Sequence, residues 1–177
     1  MKALTLVRRF LGARAGSAAV EFAIIVPVMI AMTAGAVELG RAFQAYNAAN
    51  RLATQYAFTW SDCTDSPVGT CLTELNAFTA SSSLANIVPQ LITNNIGLRM
   101  FQVTVAGSNV NVVYAYPSGQ TLTSAEQTAA TTTLTNGQTG VVVSVNYVHY
   151  LIAFANLMSS VIGPSYTMTF TVVQVKA

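Results

Sequence analysis

One histidine, two cysteines and six side-chain carboxylates are the sparse set of imidazole, thiol and acid groups in 177 residues. Five of the acids, Glu38, Asp62, Asp65, Glu74 and Glu126, are scattered through the chain. A Ser/His/Asp relay or a carboxylate pair needs convergent members, and no Gly-rich phosphate loop follows a strand pattern. His149 falls on the inward phase of an alternating apolar run, where a satisfied structural histidine is expected rather than a general base. No enzyme activity, cofactor or metal is expected. Cys63 and Cys71 flank a loop containing Pro67 and Gly69, and such a pair outside the cytoplasm reads as a disulfide. A metal site would have to recruit Asp62, Asp65 and His149, at a spacing that fits no familiar arrangement.

The sixth carboxylate, Glu21, offers different chemistry. It stands inside an apolar run: sixteen uncharged residues, Phe22 to Val37, separate it from Glu38. A carboxylate at the edge of hydrocarbon costs up to about 3 kcal/mol, less if it snorkels to water. It needs a partner or a route to solvent. If the chain is cut between Gly16 and Ser17, the new α-amino group is cationic near neutral pH, with a pKa of roughly 8. That amine lies about one helical turn from Glu21, and would lie beside Glu21 of a neighbouring subunit shifted along a bundle axis. Snorkelling by an isolated Glu21 is the alternative.

The elements that position this carboxylate are legible from charge and hydropathy. Residues 17–37 would cover roughly 30 Å as a helix, one hydrocarbon core. Lys2, Arg8, Arg9 and Arg14 precede the run, and no acid comes before Glu21. The positive-inside rule then leaves residues 1–16 in the cytoplasm and 38–177 outside it. Without residues 1–16 the chain has four basic residues against six acids, so the basic charge is a local address and nucleic acid is not an expected partner. Pro27 should kink or loosen the helix. Ala31/Gly35 and Ala36/Gly40 are small-xxx-small pairs that either admit a second helix or are ordinary small membrane residues. Ala34-Gly35-Ala36 also has the form of a secretory cleavage site, which would release a protein starting at Val37.

The stretch from Arg14 through Gly16 and Ser17 to Glu21 and Phe22 resembles a type IV prepilin processing site. With Pro27 and Glu38-Leu39-Gly40-Arg41 it is similar to the TadE-like family of tight-adherence (Tad) pilus pseudopilins, over residues 8–58. The resemblance implies cleavage after Gly16 by a prepilin peptidase, with Glu21 and Phe22 serving assembly. It further implies a minor-pilin role in a pilus for surface adhesion. The implied partners are other pilins through the N-terminal helix and an inner-membrane assembly platform, with the lipid bilayer around the span.

Beyond the span, helical periodicity predicts continuation to about Phe58, with Leu39, Phe43, Tyr46 and Asn50 on one stripe and Ala42, Ala49, Ala53 and Tyr56 adjoining. Glu38 and Arg41, three residues apart, can pair at the outer membrane boundary. Leu72 to Leu91 is weakly helical, with Ser81-Ser82-Ser83 and Pro89 as interruptions. The period then becomes two. Arg99–Val105, Val110–Tyr116, Val141–Tyr147 and Tyr166–Val172 read as strands, with Gly107 in the first turn. In the last, Tyr166, Met168, Phe170 and Val172 point inward and the threonines between them outward. The expected fold is α+β: a long N-terminal transmembrane and amphipathic helix packed on one face of a small antiparallel sheet, as in pilins. Within residues 117–140, Thr123-Ser124-Ala125-Glu126 suggests a capping box opening a short helix, against an exposed mobile connection. Leu151–Ile162 is apolar but too short to span; it can pack over the sheet, lie on the outer leaflet or meet a partner subunit, and packing over the sheet is the favoured reading. The boundaries are therefore a leader 1–16, a span 17–37, a helical extension 38–60 and an extracytoplasmic α+β domain 61–177, the whole anchored once in a bacterial inner membrane.

Overall fold

A single helix, α1, runs from Arg14 to Ser61, 48 residues or about 72 Å. The computed structural model describes residues 14–63, 73, 77, 79, 81–152 and 163–176. The helix passes through Pro27, whose missing N–H cannot donate to the Ala23 carbonyl. Its N-terminal part is exposed and very apolar: the most hydrophobic 18-residue window has a mean hydropathy of 2.1, with none of it buried. That is long and apolar enough to cross a membrane once.

The C-terminal part of α1 is gripped by a sheet. Four strands follow: β1 (Ile96–Ala106), β2 (Asn109–Tyr116), β3 (Thr139–Tyr150) and β4 (Ser165–Val175). They lie in the order β2-β1-β3-β4, every neighbouring pair antiparallel. A short helix α2 (Ser81–Ile87) and a 3-10 turn at Thr93–Asn95 precede β1, and helix α3 (Ser124–Thr133) joins β2 to β3. The long N-terminal helix on a four-stranded antiparallel sheet is the α+β arrangement expected from the sequence.

Alanine decides how closely the helix approaches. The stripe of α1 that meets the sheet is Ala45, Ala48, Ala49, Leu52, Ala53, Tyr56, Ala57 and Trp60. It packs on Met100 of β1, Val141, Val143, Val145 and Tyr147 of β3, and Phe170 of β4. The larger residues of the stripe anticipated from periodicity, Leu39, Phe43 and Tyr46, stay exposed, because small side chains give the backbone its closest contact with the sheet. Tyr46 reaches the core only at its margin, edge-on to Phe170 with ring centroids 4.8 Å apart.

The expectation of one covered face needs correction. A second core of Phe101, Val103, Val105, Leu122, Ala130, Leu134 and Val142 fills the opposite face beneath α3. The central strand β3 is consequently buried on both sides, and its run of valines from Val141 to Val143 is continuous rather than alternating. Strand β2 departs from strict alternation too. A register shift opposite Gln102 and Val103 turns Tyr114 and Tyr116 toward α1, while Val110 packs under α3 and Val112 and Val113 remain exposed. In β4, Met168, Phe170 and Val172 do face α1 as expected.

Within 117–140 the capping box forms. The Glu126 amide donates to Thr123 Oγ1 at 3.3 Å, and Glu126 Oε2 accepts from the Thr123 amide at 2.7 Å. Glu126 is 2% exposed and also meets Arg99 of β1 at 3.2 Å, which clamps α3 to the sheet. Gly107 adopts the positive φ (64°) that the β1–β2 turn requires, and its amide donates to Asn136 Oδ1. Of the segment read as weakly helical, residues 73 and 77 are helical, residue 79 lies in a turn, and α2 begins at Ser81, so the serines stand at a helix start. Residues 153–162 of the expected apolar segment lie outside the described residues.

Candidate functional site

Chemistry-bearing residues gather at two levels of α1. At the lower level, Gly16 and Ser17 fall within the first turns of the helix and Glu21 follows about 6 Å further along the axis. Glu21 and Phe22 are both exposed, the latter 69%, on a helix surface otherwise made of Val20, Ile24, Ile25, Val28 and Met29. A charged side chain on such a surface is costly in hydrocarbon unless a cation meets it.

The upper level lies just past Val37. Glu38 is on the same helical face as Ala45, two turns earlier, and so turns toward the sheet where its helix neighbours Val37 and Leu39 turn away. It is buried. Its Oε1 lies 2.9 Å from Nε2 of His149, itself only 4% exposed near the end of β3. The other oxygen, Oε2, accepts from the Ile152 amide at 3.4 Å and lies 3.8 Å from the Arg41 guanidinium. Tyr147 and Tyr166 flank the imidazole, with ring centroids 6.2 and 5.1 Å away. The Tyr166 hydroxyl is pushed above its ordinary pKa, first by burial, then by the negative charge of Glu38 and by Tyr147.

The sequence placed Glu38 with Arg41 and His149 in the core, but did not bring the two together. A signal existed: each is the polar member of an otherwise apolar core stripe, His149 in phase with Val141, Val143, Val145 and Tyr147, and Glu38 in phase with Ala45, Ala49 and Leu52. Two such residues at the same end of facing elements are natural partners, since burying either alone is unfavourable. Chemically the group is a fastening. It shares one carboxylate among an imidazole, a backbone N–H and a guanidinium, and joins the end of β3 to the helix where the apolar segment stops.

Cys63 is buried just beyond α1, its Sγ 3.4 Å from the Thr59 carbonyl oxygen. Cys71 and Asp65 lie outside the described residues, and Asp62 is exposed.

The lower level bears on the relationship to known proteins: an exposed carboxylate five residues after a glycine, on an apolar helix that runs through Pro27. Residues 16–57 match the family model of the TadE-like protein. No curated protein and no solved structure matches the chain. The TadE-like segment takes in Glu21, Pro27, the Glu38/Arg41 pair and most of the alanine stripe, and it ends before the sheet begins. It connects the chain with Tad pili and, through its one long apolar helix, with single-pass anchoring in a membrane.

Proposed function

We propose that this chain is a minor pilin or pseudopilin of a Tad-type pilus, held in the inner membrane by α1 and taking part in pilus assembly and surface adhesion. The observation that carries it is Glu21 within the TadE-like segment, exposed on an apolar helix five residues after Gly16. A prepilin peptidase cuts between Gly16 and Ser17. The amine so released is a cation at neutral pH, and the carboxylate of an adjoining subunit receives it inside the membrane. Pairing of opposite charges in that medium fixes the axial stagger of neighbouring helices, which pure apolar packing leaves loose. Lys2, Arg8, Arg9 and Arg14 hold the leader in the cytoplasm, so the sheet lies on the periplasmic side. Cys63 and Cys71 are joined there as a disulfide. The partners are the peptidase, other pilins and the assembly platform; the protein acts by assembly and not by catalysis.

Intact mass and N-terminal sequencing of protein recovered from membranes test this. A start at Ser17 is expected. Retention of Met1 would indicate an uncut single-span scaffold, and a start at Val37 a secreted domain; either result removes the pilin reading. A Glu21→Ala variant should be cut at the same bond and yet fail to co-purify with assembled pili. Normal incorporation of that variant would remove the role given to the carboxylate.

A further inference from the structure

The end of the domain that faces the span carries a surface for which the TadE-like match offers no account, since half of it comes from β3 and beyond. Val37 (58% exposed) and Leu39 (70%) project from α1, and Tyr150 (52%) and Ile152 (64%) from the far side of the fastening. Glu38 sets them level with one another: its carboxylate holds both the His149 ring and the Ile152 amide. The chain leaving β3 is thus tied to the first residue past the apolar segment. We infer that this end of the domain, made of Val37, Leu39, Tyr150 and Ile152, sits in the headgroup layer of the bilayer that holds α1, so that the domain rests on the membrane instead of standing clear of it. Residues 17–37 must span that bilayer for the seating to hold.

Three features favour lipid as the occupant. Among the described residues the surface is continuous with the apolar, exposed face of the spanning helix, with no polar collar between the two. Its composition is that of a membrane interface: aliphatic side chains, a half-exposed phenol, and the Arg41 guanidinium beside them, able to meet lipid phosphates. The one carboxylate described at this level, Glu38, is turned inward and covered, so this end presents no anion to the phosphates. The dimensions agree. Headgroups occupy about 5–8 Å on each side of the hydrocarbon, and Leu39 stands only about 3 Å of helix rise beyond Val37.

Brominated lipids, which quench indole emission at known depths, test the inference on the full chain in phosphatidylethanolamine/phosphatidylglycerol vesicles. Trp60, buried about 33 Å of helix rise above Glu38, supplies a constant reference. Ile152→Trp should lose emission to bromines near the headgroups. Phe58→Trp, equally a new indole on an exposed site but about 30 Å above the span, should lose none. Met29→Trp should be quenched by bromines deep in the acyl chains. Deep quenching at position 29 with none at 152 would overturn the seating, whether water or a second copy of the chain covers that surface. Absence of quenching at position 29 would instead bring down the span itself, and the seating with it.

Discussion

Glu38 and His149 are separated by 111 positions in sequence and by a single hydrogen bond in space. Charge spacing alone makes Arg41 the obvious partner of Glu38, because i,i+3 pairs are visible in one dimension. The stronger contact depends on β3 running back down toward the membrane, which no local pattern records. Replacing His149 with Leu leaves a buried carboxylate short of a hydrogen bond, and a loss of about 1–3 kcal/mol is expected from denaturant unfolding in micelles. Glu38→Gln keeps one acceptor oxygen for the Ile152 amide and can turn its NH2 as a donor to an unprotonated ring nitrogen of His149, so it should cost less. Tyr56 sets a second expectation. Its hydroxyl is pushed up to about 12, first by burial and then by Tyr116. The folded chain therefore keeps this proton after the unfolded chain, with an ordinary phenol near 10, has begun to release it. Stability from this group is complete below about pH 10 and is lost as pH rises from there through about 12. An alkaline titration following unfolding and phenolate absorbance together should show the two signals moving in step.

Among the elements, the strands were the most legible and their faces the least. All four were recognised from alternation, because polar residues hold alternate positions in each, as Gln102 and Thr104 do in β1 and Ser144 and Asn146 in β3, even where both faces are covered. What alternation could not supply was the second core: Phe101, Val103 and Val105 alternate cleanly, yet they point to α3 and not to the long helix. The bulge in β2 was invisible for a related reason, since an extra residue changes the face without changing residue types. Helix α3 was legible through Thr123 and Glu126, as a capping box is written in adjacent residues. Its seating on the sheet rests on Gly140, where an added Cβ would lie 2.6 Å from a Leu134 methyl and 2.9 Å from the Gln174 carbonyl oxygen. Gly140→Ala should consequently lower stability by about 1–3 kcal/mol through overpacking. A thermal melt of the two proteins side by side checks it, and an unchanged midpoint would mean that α3 yields easily.

For the whole molecule, the TadE-like resemblance and the long apolar helix were readable because Glu21, apolar length and Pro27 are all local in sequence. The alanine stripe was harder, since Leu39, Phe43 and Tyr46 outweigh Ala45 and Ala49 in hydrophobicity yet remain outside. The proposed pairing of Cys63 with Cys71 also belongs to this scale, because its state would report the compartment in which the domain folds. Protein recovered without reducing agent should be two hydrogens lighter than the same protein after reduction, with alkylation at Cys63 and Cys71 only in the reduced sample. Labelling of either thiol without reduction would place the domain in a reducing compartment or leave the loop open.

Membrane proteins often separate anchor from head by a flexible neck, and α1 has none between Val37 and Ala45. One rod is held in lipid at its lower half and in protein at its upper half. Torsion at one end must therefore reach the other: each extra residue in a helix rotates the remainder of the rod by about 100°. The direction in which the two outer strands of the sheet, β2 and β4, look is then set by how the apolar half of the rod is turned about its own axis.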